Sequence, residues 1–315
     1  MTTLLDMIDE VSINLSGYTL QQDRATHITA NVAATASTIA APITLSLAST
    51  DSVGKGILEI DEELFWVDNY DRVGNTATIA PYGRAYLGTT LAAHTAGTKV
   101  TIAPTFPRFV IKRAINDTIS AIGSSIFAAN KTTITSNLST SAFRLPATGN
   151  SLNIRSILAV AYEAIGPSKE WIPVRNWRFD GNANSTAFTS EQTISIYDMI
   201  TSGRTIQVVY STDPSTFPEL ATPTLTNAQV FETVSGLPAS CKDLVILGAT
   251  YRLLSNLDPA RASMVSPQAD ETDSKRPYGS SQSLTRQVYA LFTQRLSEEI
   301  KNQQEKYPIR VHYSL

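Results

Sequence analysis

The chain has 315 residues, of which 42% are hydrophobic and 17% charged, against a usual charged fraction of about 25%. A length of two or three ordinary domains, a formal net charge of -3 and the lack of any basic run exclude nucleic-acid binding as its main task, because phosphate contacts need clustered Lys and Arg. A single cysteine, Cys241, excludes an intrachain disulfide framework and a Cys-rich zinc site, and the first ten residues lack the basic start and apolar core of a signal peptide, so assembly in a cytoplasm is expected.

From about Thr3 to Leu15, the residues Leu4, Leu5, Ile8, Val11 and Leu15 recur at helical spacing with Asp6, Asp9 and Glu10 outside the stripe, which predicts a first helix. From Ile28 to Pro104 short β-type runs alternate with turn residues such as Asp51-Ser-Val-Gly and Val73-Gly-Asn, and a small all-β module is expected. Helical period returns between Phe106 and Asn130, where Ile111, Ile115, Ile119, Ile122 and Ile126 share one face. Strand-like runs follow at Asn153 to Tyr162, Trp171 to Val174, Trp177 to Phe179, Gln192 to Ile196 and Thr205 to Tyr210. Their regular spacing between polar loops points to a β-sandwich. Thr212 to Asn227, rich in Pro and Thr, reads as a loop.

A third helix opens after Ser235-Gly-Leu-Pro, with Leu244, Leu247, Tyr251 and Leu254 on one face and Asp258-Pro259 at its end. Ser263 to Ser281 is polar and reads as an exposed loop. A fourth helix is expected from Ser283 to Lys306, carrying Leu284, Val288, Leu291, Phe292, Leu296 and Ile300 and stopping before Pro308. The last residues alternate apolar and polar, and a terminal strand is expected there. The resulting fold class is α+β. Segments 1–27, 105–131 and 235–306 make a four-helix core, residues 28–104 a small β-barrel-like module, 132–234 a β-sandwich module, and 307–315 a C-terminal tail. Helices of this length are marginal alone, so they are expected to bury their stripes against each other.

Two stretches carry a resemblance. Gly56-Ile-Leu-Glu-Ile-Asp-Glu-Glu-Leu-Phe-Trp-Val-Asp68, followed by Ala80-Pro-Tyr-Gly-Arg-Ala-Tyr-Leu-Gly-Thr and then His94-Thr-Ala-Gly-Thr, resembles the small β-barrel modules of phage virion proteins, where an acidic hairpin precedes a Gly-Arg-Gly-like turn. Here Ala85 stands where the second Gly is usual. From Leu244 onward, a helix, an acidic and basic loop, a long polar helix ending in Tyr-Pro and a short strand are similar to the helical core of the head-to-tail adaptor (connector) proteins of tailed bacteriophages. The resemblance covers about half the chain and leaves residues 132–234 without a counterpart.

That resemblance implies a structural virion protein of the neck, a non-enzymatic subunit of a ring below the portal, with a dodecamer matching portal symmetry. It implies as partners the portal, tail-completion or tail-tube proteins, possible fibres, and genomic DNA crossing the channel without sequence recognition. It also implies that the tail, Tyr307, Pro308, Ile309, Arg310, Val311, His312, Tyr313, Ser314 and Leu315, inserts into the portal. Alternating Ile309, Val311 and Tyr313 suit strand addition to a partner. The rival expectation is a tail fibre, baseplate or receptor-binding subunit that uses the β modules to bind host glycan.

No catalytic, cofactor or metal site is expected. Glu59, Asp61, Glu62, Glu63 and Asp68 lack the spacing of a Ca²⁺ loop, and strand alternation favours a solvated acidic face. His94 reads as a turn histidine bonded to nearby backbone, since His27 and His312 supply no ligand spacing. Cys241 reads as a small buried hydrophobe, and Trp171, Trp177 and Phe179 as core or interface packing rather than a sugar platform. Neither Gly-x-Ser-x-Gly nor a phosphate-binding glycine loop occurs.

Overall fold

The computed structural model describes residues 2–19, 23–137, 141–145, 154–166, 169–182, 192–219, 223–255 and 280–308. The chain is mixed α and β, and all strand pairs are antiparallel. It divides into two compact units. One comprises Met1–Thr118, Phe217–Val230 and Lys242–Thr293, and the other Ile119–Thr216, Phe231–Cys241 and Gln294–Leu315.

The first unit begins with α1 (Leu4–Thr19). Thr3 caps it: the Thr3 N–H donates to Asp6 Oδ2 and the Asp6 N–H donates to Thr3 Oγ1, which satisfies two donors that a helix start leaves open. Leu4, Met7, Ile8, Val11 and Leu15 are buried, so Met7 joins the expected stripe while Leu5 lies at its border.

Next comes a six-stranded sheet built from β1 (Arg24–His27), β2 (Thr44–Ser46), β3 (Gly56–Ile60), β4 (Glu63–Asp71), β5 (Thr76–Ile79) and β6 (Lys99–Ile102). The spatial order is β1-β6-β3-β4-β5-β2. The two outer strands meet where Ile28 bridges Leu47: the Thr29 N–H donates to the Ser46 carbonyl and the Ala48 N–H to the His27 carbonyl, both at 2.9 Å. Ile28, Leu45, Leu58, Phe65, Ile79 and Val100 fill one core inside this sheet. Burying several such side chains, each contributing about 1.5–3 kcal/mol, is what holds a module of this size together.

Helix α2 (Arg108–Ile122) buries Ile111, Ile115, Ile119 and Ile122 as the spacing predicts. It ends eight residues earlier than the expected Asn130, because Gly123-Ser-Ser leaves the helix and Ala128 already opens a strand. Ile126 keeps its place in the apolar row only because its N–H still reaches the Ile122 carbonyl through the terminal turn.

Also in the first unit are α3 (Pro223–Asn227), α5 (Lys242–Leu254) and the start of α6 (Ser280–Lys306). The short α3 corrects the expectation of a plain loop up to Asn227, since Pro223 suits a first helical turn. Leu244, Val245, Ile246, Ala249, Leu253 and Leu254 of α5 are all buried, and Leu247 and Tyr251 only half so. The helix is enclosed on most sides, which a one-stripe reading underestimates. Glu10 of α1 pairs with Lys242, and Tyr251 packs edge-on against Tyr289 of α6. The expected polar loop from Ser263 lies outside the described residues up to 279, and α6 starts at Ser280 rather than Ser283. Among the described residues no helix is long and apolar enough to cross a membrane.

The second unit carries a four-stranded sheet in the order β10-β9-β13-β7 and a three-stranded sheet in the order β11-β12-β8. The strands are β7 (Ala128–Thr135), β8 (Ala142–Arg144), β9 (Ile154–Glu163), β10 (Trp171–Pro173), β11 (Trp177–Asp180), β12 (Thr193–Ile196) and β13 (Thr205–Thr212). Five of them answer to the predicted runs. β7 and β8 were not predicted: β7 reads Ala-Ala-Asn-Lys-Thr-Thr-Ile-Thr, with only Ala128 and Ile134 buried, so its alternation is nearly silent. One core draws Ile134, Val160, Ile206 and Val208 from the first sheet and Ile194 and Ile196 from the second. The remaining helix here, α4 (Phe231–Ser235), buries Phe231 and Ser235.

Candidate functional site

Two places were singled out by sequence, the acidic hairpin with its companion motifs and the C-terminal tail. The hairpin joins β3 to β4 with Ile60 opposite Glu63 and with Asp61 in the left-handed region at φ 55°. The solvated acidic face expected there does not exist. Glu59, Glu62 and Glu63 are 4%, 7% and 1% exposed, and only Asp61 and Asp68 face water. Alternation was the wrong guide, since a hairpin tip covered on both sides buries both faces.

Glu63 is held by five donors. The Arg84 guanidinium grips it with Nε 2.9 Å from Oε1 and Nη2 2.7 Å from Oε2, the Ala85 and Ala92 N–H groups donate to it at 3.1 and 3.0 Å, and His94 Nε2 lies 2.9 Å from Oε2. Burial works to raise its pKa, but His94, Arg84 and the Ala92 amide outweigh burial and keep it below the ordinary carboxylate range. Arg84, itself 5% exposed, also donates to the Ala33, Thr35 and Ala92 carbonyls and stacks over Phe65, 4.9 Å from the ring centre. Every N–H of the fork that reaches the interior is thereby used.

His94 is also corrected. Its backbone does pair with Val32, yet its ring, 1% exposed, bridges two carboxylates: Nδ1 sits 2.7 Å from Asp61 Oδ2 and Nε2 2.9 Å from Glu63. Sequence reasoning missed this because the partners lie 31 and 33 positions away. The signal available was the joint occurrence of the acidic hairpin, Gly83-Arg84 and His94-x-x-Gly97. Those motifs meet in one buried lattice.

The turn between them explains its residue types. A Cβ on Gly83 would lie 2.8 Å from both the Ala80 and Trp66 carbonyl oxygens, so only glycine fits. Ala85 adopts φ 51°, the left-handed conformation that a glycine would take without strain. Tyr82 and Leu87 share that region, at φ 58° and 55°, and project largely exposed side chains.

The hairpin's other carboxylates face α2. Glu59 Oε1 accepts the Arg108 N–H at 2.6 Å, and burial pushes its pKa up to about 7. Lys112 Nζ sits between Glu62 at 2.8 Å and Glu219 at 2.7 Å. Burial lowers the ammonium's pKa, and the two carboxylates more than reverse that. Arg108 also pairs with Asp9 of α1 at 2.9 Å. The β module is thus tied to α2 within the first unit by the same hairpin that organises its interior, and α2 is tied to α1 by Arg108.

Such an arrangement has little catalytic capacity. Glu63 has no spare lone pair for a substrate proton, and His94 has both ring nitrogens occupied. No group of three His, Cys, Asp or Glu among the described residues is placed to hold a metal ion. Cys241 is buried, and burial followed by the neighbouring Glu299 pushes its thiol up to about 12. Its reaction with a neutral-pH disulfide reagent is expected to be at least about 100-fold slower in the native chain than in denaturant, which a stopped-flow thiol assay reads directly.

No family model and no curated protein matches this chain. The functional reading therefore rests on the residues themselves.

In the tail, Tyr307 and Pro308 are described, whereas Ile309, Arg310, Val311, His312, Tyr313, Ser314 and Leu315 lie outside the described residues. The point where the tail leaves α6 is strongly fixed. Gln303 donates through Nε2 to the Phe127 carbonyl at 2.6 Å and accepts the Phe127 N–H through Oε1 at 3.1 Å, in the manner of one rung of a strand ladder. The Tyr307 ring packs on Phe127 with ring centres 5.9 Å apart, and Lys306 Nζ lies 5.5 Å from the centre of the Tyr307 ring. One turn earlier, Glu299, 3% exposed, joins Ser240 and Arg295 at 3.0 Å each.

The aromatic residues of the second unit split. Trp177 and Phe179 pack against the core, while Trp171 in the outer strand β10 is 44% exposed beside Ile172 at 37%.

Proposed function

We propose that this chain is a structural subunit of a tailed-phage particle, a non-enzymatic member of the ring that joins portal to tail. The helices α1, α2, α5 and α6 act in this reading as the adaptor core, the six-stranded sheet as a small barrel closed at Ile28 and Leu47, and the two sheets of the second unit as a sandwich. The ring surrounds the DNA channel in the neck, and the sparse charge suits a surface that DNA must pass without sticking.

The observation that carries the reading is the anchoring of the tail's first residue. The long polar helix α6 ends in a take-off point locked by Gln303, Phe127 and Tyr307, so a segment that adds as a strand to the portal starts from a defined position, which lowers the ordering cost of binding. Support also comes from the buried lattice of Glu63, Arg84 and His94, whose residues serve architecture rather than chemistry.

The test is a chain ending at Lys306, compared with the full chain for binding to isolated portal rings by negative-stain imaging and native mass spectrometry. Full-length protein is expected to form rings on the portal, and the truncation to lose about 100-fold or more in affinity, equivalent to about 2.7 kcal/mol. Undiminished binding by the truncated chain overturns the role given to Tyr307 to Leu315.

A second reading, a fibre, baseplate or receptor-binding subunit, draws on the exposed Trp171. A stable trimer in solution, with glycan binding lost on Trp171→Ala, is the outcome that favours it.

A further inference from the structure

The His94 ring sets a constraint of its own. A neutral imidazole has one N–H and one lone pair, so it satisfies one ionised carboxylate and turns a lone pair toward the other. Here both ring nitrogens lie at 2.7 and 2.9 Å from carboxylate oxygens. Glu63 is ionised, since it also takes the Arg84 fork and two backbone N–H groups. Asp61 is half open to water, its side chain 51% exposed. Only an imidazolium donating on both sides fits.

The charged groups around that ring are few. The β3–β4 turn contributes Asp61, β4 contributes Glu63 and the uncharged Phe65 ring at 5.7 Å, and the loop after β5 contributes Arg84 through Glu63. From residues 32–35 and from Ala92 only backbone groups meet the lattice. Two cations and two anions therefore balance, and removing the His94 proton leaves the balance one positive charge short.

We propose that His94 is a proton-operated clamp: as imidazolium it fastens the hairpin tip at Asp61 to Glu63 and so to the loop of residues 82–92, and loss of its proton at rising pH releases that tip and loosens the loop. The loop is the part of the module with most to lose. It holds Tyr82, Ala85 and Leu87 in the left-handed region, and the lattice grips its backbone at the Ala85 and Ala92 N–H groups.

The direction in pH follows from proton binding. The carboxylates raise the His94 pKa more than burial lowers it. A group whose folded pKa lies above its unfolded value of about 6.5 contributes stability in full below that value, and loses it as pH climbs through the folded pKa. Glu59 acts in the same sense but lower, losing its contribution between about pH 4.5 and about 7. The two are separable because Glu59 faces Arg108 rather than the loop.

The experiment uses the full chain. Imidazole ¹⁵N chemical shifts are followed from pH 5 upward, with His94 identified by its loss in His94→Gln, while hydrogen exchange is read in residues 82–94 and melting temperature at each pH. Expected are a His94 doubly protonated at pH 7, exchange in 82–94 that accelerates as His94 titrates, and a melting temperature that falls by about 5 °C over the same interval. Asp61→Asn, at a half-exposed turn position, keeps the fold, shifts the His94 titration downward and moves the exchange transition with it. Glu59→Gln leaves both in place. A singly protonated His94 at pH 7, or exchange in 82–94 that ignores the His94 titration in the wild-type chain, overturns the proposal.

Discussion

Arg84→Ala is expected to destabilise the six-stranded module by about 3–5 kcal/mol, the range in which stripping one partner from a buried ion pair falls. The guanidinium is 1% exposed and Glu63 0% in their side chains, so the deletion leaves a carboxylate in the interior with its strongest donor gone. It also removes the Arg84 donors from the carbonyls of Ala33, Thr35 and Ala92. Arg84→Lys keeps the charge but cannot present a planar fork to both oxygens of Glu63, and it is expected to recover less than half of the loss. Urea unfolding followed by the fluorescence of Trp66, which stacks on Tyr86 at 5.2 Å beside the same turn, measures both variants. A change within about 0.5 kcal/mol for Arg84→Ala, the spread of an ordinary surface substitution, contradicts the lattice.

The second large effect concerns a glycine whose substitution has two opposing consequences. Gly248 lies inside α5, where alanine is ordinarily preferred by about 1 kcal/mol. A Cβ there would stand 2.3 Å from Thr118 Cγ2 and 2.9 Å from Phe292 Cε2. Thr118 has little freedom to retreat, because it is fully buried and its Oγ1 donates to the Ala114 carbonyl at 2.7 Å. Overpacking of this kind costs about 1–3 kcal/mol, so the packing loss outweighs the helical gain and Gly248→Ala is expected to lower stability. Thr118→Ser removes the clashing methyl and keeps the hydroxyl bond. In a double-mutant cycle it is expected to recover at least half of the Gly248→Ala loss, and strict additivity of the two changes would place the cause elsewhere.

Both effects bear on function as proposed. Arg84 maintains the module whose hairpin reaches α2 through Glu59 and Glu62, with Arg108 of α2 in turn paired to Asp9 of α1, and Gly248 sets how closely α5 approaches α2 and α6. An adaptor ring would depend on both, since neighbouring subunits can register only if each presents the same rigid surface.

By itself the sequence determined the elements whose periodicity is carried by large apolar side chains. The stripes of α1 and α2, the existence of α5 and α6, and the strands β9 to β13 follow from Leu, Ile, Val and aromatic spacing, because burial of those residues dominates the free energy of any local segment. The acidic hairpin, the Gly-Arg turn and His94-x-x-Gly97 were visible as separate motifs set side by side only by a resemblance, and His94 was expected to bond nearby backbone. Tertiary structure decided the rest. β7 and β8 exist through pairing with β13 and β12 rather than through their own pattern, and α2 stops where Gly123-Ser-Ser meets the start of a strand. The fate of the acidic residues was decided entirely at long range. Whether a carboxylate is solvated or buried depends on whether a matching donor arrives: the Arg84, His94 and Lys112 side chains come from 21, 31 and 50 positions away to meet Glu63 and Glu62, and the Arg108 backbone N–H comes from 49 positions away to meet Glu59. Desolvating a charge is favourable only with its partner in place, and strand alternation has no information about where that partner lies.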